Sequence, residues 1–197
     1  VSGLAISLYF ITGYPVKQLM TIVGVAVVAV IMFIGSSSYR IDRVKTFLDP
    51  THDPLGSSYH IRQVILALGS GGVTGVGIGR SRQKYEYLPE STTDSIIAVA
   101  GEELGFVGIS LVMVTFIYLI SRIFKVAAMC KHPFNAALSA GVGSWISLQV
   151  VLNLAAMVAL TPLTGVPLPL VSYGGSALMT ILMGLGLVIA VARVEKV

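Results

Sequence analysis

Apolar positions come in long uncharged runs separated by short charged clusters. Residues 18–39, 63–79 and 104–121 carry no charged side chain, and neither does the long stretch from Pro133 to Ala192. A helical membrane span needs about 20 predominantly apolar residues. The last stretch is therefore long enough for two spans, and TPLTGVPLP (161–169) supplies the break between them, because proline lacks a backbone donor and ends helices. The pattern predicts a partial helix over Val1–Thr12, a turn at GYP, and helices near Val16–Ser38, Leu55–Ile78, Glu103–Phe124, Asn135–Leu160 and Gly175–Val194. The second of these five holds His60 and Arg62 near its start, where Arg62 can snorkel, and ends in glycine-rich GSGGVTGVGIG. That segment has glycine spacing like a dinucleotide site but lacks the strand and helix context, so that reading is set aside. The expected fold class is an all-α polytopic membrane protein, with about five full transmembrane helices and a partial one.

Composition agrees. Of 197 residues 55% are hydrophobic and 11% charged, against roughly 25% charged in an ordinary soluble domain. The chain opens with VSGLAISLYFITGY, without an initiator methionine or a basic leader, so it is expected to start within a span and to be part of a longer protein. No inverted pair of broken helices is visible in it. A net charge of +4 without a basic block or interleaved aromatics gives no sign of a nucleic-acid partner. The charges report topology instead, since Lys and Arg favour cytoplasmic loops. Arg40, Arg43 and Lys45 form one such loop, Arg122, Lys125 and Lys131 a second, and Arg193 and Lys196 the tail. The opposite side then holds a large connection, 79–102, and a second loop, 161–174. The single cysteine, Cys130, excludes an intramolecular disulfide and reads as an inert packing residue.

Chemistry concentrates in the 79–102 connection, GRSRQKYEYLPESTTDSIIAVAGE. Arg80, Arg82 and Lys84 stand together, Glu86 and Glu90 follow, and Asp94 comes after a polar triplet. Two readings of Asp94 stay open. Ser91 to Asp94 fits a helix-capping pattern ahead of an apolar run. A carboxylate faced by a basic trio also suits glycosyl transfer from a lipid diphosphate: the carboxylate takes a proton from a sugar hydroxyl, and cations accept the charge of the departing diphosphate. The two are compatible, because a helix N-terminus holds a carboxylate in a fixed place. Glu102 and Glu103 read as acids in the first turn of the next span, with metal binding or loop anchoring as the alternative. The loop LTPLTGVPLPLVSYGGSA, which includes Ser172, lies on the same side as Asp94 and either lines the site or is a plain helix break.

Three segments carry a family resemblance: YRIDRVKTFLDPTHDPLGSSYHIRQ, ALGSGGVTGVGIGRSRQKYEYLPESTTDSIIAVAGEELGFVG and PLTGVPLPLVSYGGSA. Together with the intervening spans they cover nearly the whole chain, which resembles the C-terminal half of the SEDS family of peptidoglycan polymerases. The wording SRQKYEYLPE is closer to the FtsW-like division branch than to the RodA-like elongation branch. The resemblance implies a ten-span bundle with both termini in the cytoplasm, this chain supplying roughly the fifth span onward, in the bacterial cytoplasmic membrane. It implies an inverting glycosyltransferase that polymerises lipid II on the outer face, with a class B penicillin-binding protein and other divisome membrane proteins as partners. A divalent cation, Mg or Mn, is implied, and no organic cofactor. The family's essential aspartate aligns with Asp94, as catalytic base, with Arg80, Arg82, Lys84 and Ser172 expected on the substrate. Ser95 and Ile97 stand where bulky aromatics are common in the family, and Thr92 and Thr93 where a His-Thr or His-Asn pair is frequent. Two other functions fit apolar helices around a polar cavity: a lipid II transporter, or a membrane scaffold that recruits cell-wall enzymes.

Overall fold

The computed structural model describes residues 16–35, 64–67, 69–80, 96–158, 160–161 and 165–196. Among the described residues there are four long helices: α1 (Val16–Gly35), α2 (Ile96–Met129), α3 (Pro133–Met157) and α4 (Gly175–Glu195). Among the described residues there is no strand. The helices α2, α3 and α4 are long and apolar enough to cross a membrane, and α1 carries the apolar run Met20–Phe33. The fold class is that of an all-α polytopic membrane protein. Valine-rich α1 would be a mediocre helix in water, but in hydrocarbon every backbone group must be satisfied within the segment, and a helix does that.

Hydroxyls inside the helices are satisfied locally in the same way. Thr21 Oγ1 donates to the Lys17 carbonyl at 2.9 Å, Thr115 Oγ1 to Leu111 at 2.9 Å, and Ser147 Oγ to Gly143 at 2.7 Å. Each keeps a polar group away from lipid without a partner helix.

The chain divides into two compact units. The first contains residues 1–41, 118–148 and 179–197. Here α4 buries a stripe of Ile181, Gly184, Val188 and Val191, and the ring of Trp145 and the side chain of Val142 close on Gly184, where a Cβ would stand 3.3 and 3.4 Å from them. Gly143 does the same for Ile123, at 3.1 Å. Small residues at these contacts let helices approach, which is how packing is gained when lipid removes the hydrophobic drive. The N-terminus of α3 has Pro133 at its first position, a placement that loses no hydrogen bond. The residues that lead into it are held by the carboxylate of Glu195, which accepts from the amides of Lys131 at 3.2 Å and His132 at 3.4 Å, and from the side-chain Nδ2 of Asn135 at 2.7 Å. Beside it, Cys130 Sγ donates to the Val126 carbonyl at 3.2 Å. Partial burial and the Glu195 charge hold its thiol above the usual pKa, as the inert reading of this cysteine expects.

The second unit contains residues 42–117 and 149–178. Its buried side chains include Val64, Ala67, Ile97, Ala98, Val99, Phe116, Met157 and Leu168, together with two polar residues, Glu102 and Asn153.

Two elements differ from the sequence expectation. The helix expected over Leu55–Ile78 is helical at 64–67 and 69–70 and turns away from residue 71 onward, where glycines accumulate. The helix expected to start at Glu103 instead starts by Ile96. Its charged pair is internal, and Glu102, only 4% exposed, is packed inside the protein.

Candidate functional site

Helix α2 is interrupted at Gly105, whose backbone is left-handed (φ 67°, ψ −168°). A reversal of φ at one residue interrupts the ladder in which the amides of Phe106 and Val107 would bond the carbonyls of Glu102 and Glu103. The glycine-rich loop replaces both bonds. Val76 N donates to Glu102 O at 2.9 Å and Gly77 N to Glu103 O at 3.1 Å, while Phe106 N donates to Gly72 O at 3.0 Å and Val107 N to Val73 O at 3.1 Å. These four groups are thereby paired, as buried or lipid-facing backbone requires.

Glycine is needed for this insertion. A Cβ on Gly71 would collide with the Gly101 carbonyl, one on Gly75 with the Glu103 carbonyl, and one on Gly105 with the Gly75 amide. Gly75 and Gly105 also hold positive φ, 80° and 67°, which glycine adopts without steric cost. The portion of α2 after the break, residues 106–129, is on the order of 36 Å long at 1.5 Å per residue, enough to cross a bilayer by itself. The break therefore lies toward one end of the span, with Glu102 and Glu103 next to it.

Of the expected site residues, Asp94, Arg82 and Lys84 lie outside the described residues. Arg80 is exposed and its amide donates to Gly77 O at 3.2 Å, which ties it directly to the loop that enters α2. Ser172 is half-buried. Its Oγ accepts from Leu168 N at 2.8 Å and its own amide donates to Leu168 O at 3.1 Å, closing a turn in which Leu170 has φ 65°. Asn153, 2% exposed, donates through Nδ2 to Val166 O at 2.8 Å and anchors the start of that loop to α3. Residue composition alone gave no reason to single out Asn153, Gly71, Gly75 or Gly105; the only trace was the density of glycines in GSGGVTGVGIG.

The Ser172 turn and the start of α2 meet. Ile96, Ile97, Ala100, Met113, Leu168 and Val171 line a wholly apolar cavity of about 30 Å³. Ile97, at one of the positions where the family commonly has an aromatic, is 5% exposed there. The turn that contains Ser172 thus packs against the helix whose first described residue follows Asp94 by two positions.

Three oxygens of this unit, Glu103 Oε1, Gln149 Oε1 and Thr161 Oγ1, are buried without a hydrogen-bond partner among the described residues. Such atoms are uncommon in native interiors and concentrate where polar ligands or water enter. Among the described residues no three His, Cys, Asp or Glu side chains gather as metal ligands. Adjacent Glu102 and Glu103 do not by themselves make a closed divalent-cation cage, which takes six or more oxygens.

The family model for FtsW, RodA and SpoVE, described as "Cell cycle protein", matches residues 1–197. The chain belongs to this family. It is 37% identical over 194 residues to stage V sporulation protein E of Bacillus subtilis (strain 168), covering 98% of this chain and 53% of that protein. To the probable peptidoglycan glycosyltransferase FtsW of Wigglesworthia glossinidia brevipalpis it is 38% identical over 185 residues, 92% of this chain and 49% of the relative. It spans about half the length of these relatives. Among solved structures, one chain of a peptidoglycan synthase complex that coordinates polymerisation and crosslinking superposes with a TM-score of 0.74, at 29% identity, over 98% of this chain and 54% of its own. The rod shape determining protein RodA of Thermus thermophilus superposes with a TM-score of 0.52 at 38% identity, over 66% of this chain and 39% of its own. The chain is an integral membrane protein of the FtsW, RodA and SpoVE family, as its helices and its relatives both require.

Proposed function

We propose that this chain is the C-terminal part of a peptidoglycan glycosyltransferase that polymerises lipid II on the outer face of the bacterial cytoplasmic membrane, in cell division. The observation that supports the reading most is the match along nearly the whole chain to relatives named as probable peptidoglycan glycosyltransferase FtsW. In this reading Asp94 is the general base. It takes the proton of the 4-hydroxyl on the acceptor GlcNAc as that oxygen bonds to the anomeric carbon of the donor MurNAc. The bond from that carbon to the diphosphate breaks on the opposite face, its electron pair leaves with the lipid diphosphate, and the configuration inverts.

Arg80, Arg82 and Lys84 take up the charge of the leaving diphosphate. Arg80 is suited to this by its attachment to the loop held in α2. In this reading the turn of Ser172, which packs against the start of α2, also contributes to substrate binding. A divalent cation, Mg or Mn, belongs to the proposal as a neutraliser of diphosphate charge, and no step is routed through it. The partners in this reading are a class B penicillin-binding protein, as transpeptidase, and other divisome membrane proteins.

The test uses the full-length protein reconstituted in vesicles with its transpeptidase partner and labelled lipid II. Asp94→Asn is expected to abolish glycan strands while leaving lipid II movement across the bilayer unchanged. Retained polymerisation would refute the role of Asp94. Loss of lipid movement in parallel with synthesis would favour a transporter instead.

A further inference from the structure

The insertion of residues 72–77 into the gap of α2 does more than satisfy backbone groups. It joins the two arms that flank the 81–95 connection: Arg80 is bonded to Gly77, and Gly77 is bonded to Glu103, in the same short half-helix that begins by Ile96. Four main-chain bonds, with donors and acceptors running in both directions, fix the register between these arms. A slip by one residue would unpair the carbonyls of Glu102 and Glu103 together with the amides of Phe106 and Val107. The junction therefore has one well-satisfied register.

We infer that Gly75 and Gly105 are positioning residues for the proposed glycosyl transfer: the interlock they permit sets Arg80 against the N-terminal half of α2. This rests on the function proposed above. Gly75 and Gly105 touch each other in the junction, both at positive φ, and neither leaves space for a methyl group. A side chain at either position must push the loop away from α2, and Arg80 moves with the loop. Displacement of an orienting group by about 1 Å can cost on the order of a hundredfold in rate. Substrate affinity, which is spread over the lipid, the sugars and the diphosphate, depends far less on one register.

The experiment compares Gly75→Ala, Gly105→Ala and Gly69→Ala in the full-length protein with its partner. Gly69 has open space around it and is the control. Gly75→Ala and Gly105→Ala are expected to lower kcat for glycan synthesis by about tenfold or more, with KM for lipid II within about threefold of the parent. Gly69→Ala should keep both values. Parental kcat in the two junction variants overturns the inference, and so does an increase in KM that accounts for the whole loss.

Hydrogen exchange on the unsubstituted protein provides a second readout that needs no variant to fold. The amides of Val76, Gly77, Phe106 and Val107 should be protected at least about a hundredfold relative to the exposed chain. Exchange at open-loop rates would overturn the inference as well. The two proposals fail separately: polymerisation by Asp94→Asn sinks the catalytic reading whatever the glycine variants do, whereas parental turnover in Gly75→Ala and Gly105→Ala, beside an inactive Asp94→Asn, sinks only the positioning role.

Discussion

The amide of Val76 donates to the carbonyl of Glu102 at 2.9 Å, and this places a loop residue where the amide of Phe106 would stand in an unbroken helix. The bond makes α2 a helix of two pieces held together by another part of the chain. It also explains how a carboxylate pair sits inside a long apolar element, since the break lies toward one end of the span and both residues flank it.

Gly71 faces the Gly101 carbonyl with no room for a methyl group. Gly71→Ala should destabilise the protein by about 1–3 kcal/mol, the usual range for overpacking a filled site. The measurement is the thermal midpoint of the purified protein in detergent. A midpoint equal to that of the parent would mean that the loop does not lie on α2.

Asn153 holds the loop after α3 through its bond to Val166 O. Asn153→Ala should cost about 1–3 kcal/mol, because a part-buried carbonyl loses its donor. Protease sensitivity within residues 161–174 should increase along with the fall in thermal midpoint. An unchanged cleavage pattern would count against the anchoring role.

Glu195 accepts three hydrogen bonds at the start of α3. A carboxylate there is favoured by the helix dipole as well as by the amides. Glu195→Ala should lower the thermal midpoint, and Glu195→Gln should lower it less, since the amide oxygen still accepts. Equal midpoints for all three proteins would argue that the contact contributes nothing in solution.

Cys130 should be a slow nucleophile. Burial, first, and the Glu195 charge, second, raise its pKa, so the thiolate is scarcer near neutral pH than in a free cysteine, and its share grows only as pH climbs past the ordinary thiol range. Alkylation by a maleimide or iodoacetamide should therefore have its midpoint at higher pH than a model thiol. Glu195→Gln should move that midpoint down. A midpoint at or below the model thiol would contradict the placement of Cys130.

Much of the fold could be read from hydrophobic pattern. The start of α4 at Gly175 and the apolar run of α1 follow from uninterrupted stretches and the breaks beside them. The start of α2 did not, for a definite physical reason. Two adjacent carboxylates look like a membrane boundary, so the pattern starts the span at Glu103, whereas the protein buries Glu102 within the helix and carries the helix back at least to Ile96. The junction at Gly105 was equally hidden. Its bonds are all between main-chain atoms, and these leave no side-chain signature beyond glycine itself. Of the expected site, Arg80 and Ser172 are found on loops tied to the two ends of the second unit's helices, and Asp94, Arg82 and Lys84 lie outside the described residues.

The main-chain nature of the junction affects what a mutational survey can see. Val73 and Val76 contribute through a carbonyl and an amide that every residue except proline possesses in full. Replacing their side chains one at a time leaves those bonds in place, so a scan would record them as tolerant. The glycines between them would record as intolerant. A region that holds α2 together would then look like scattered glycines in a permissive loop, and its importance would become visible only by asking which atoms are paired.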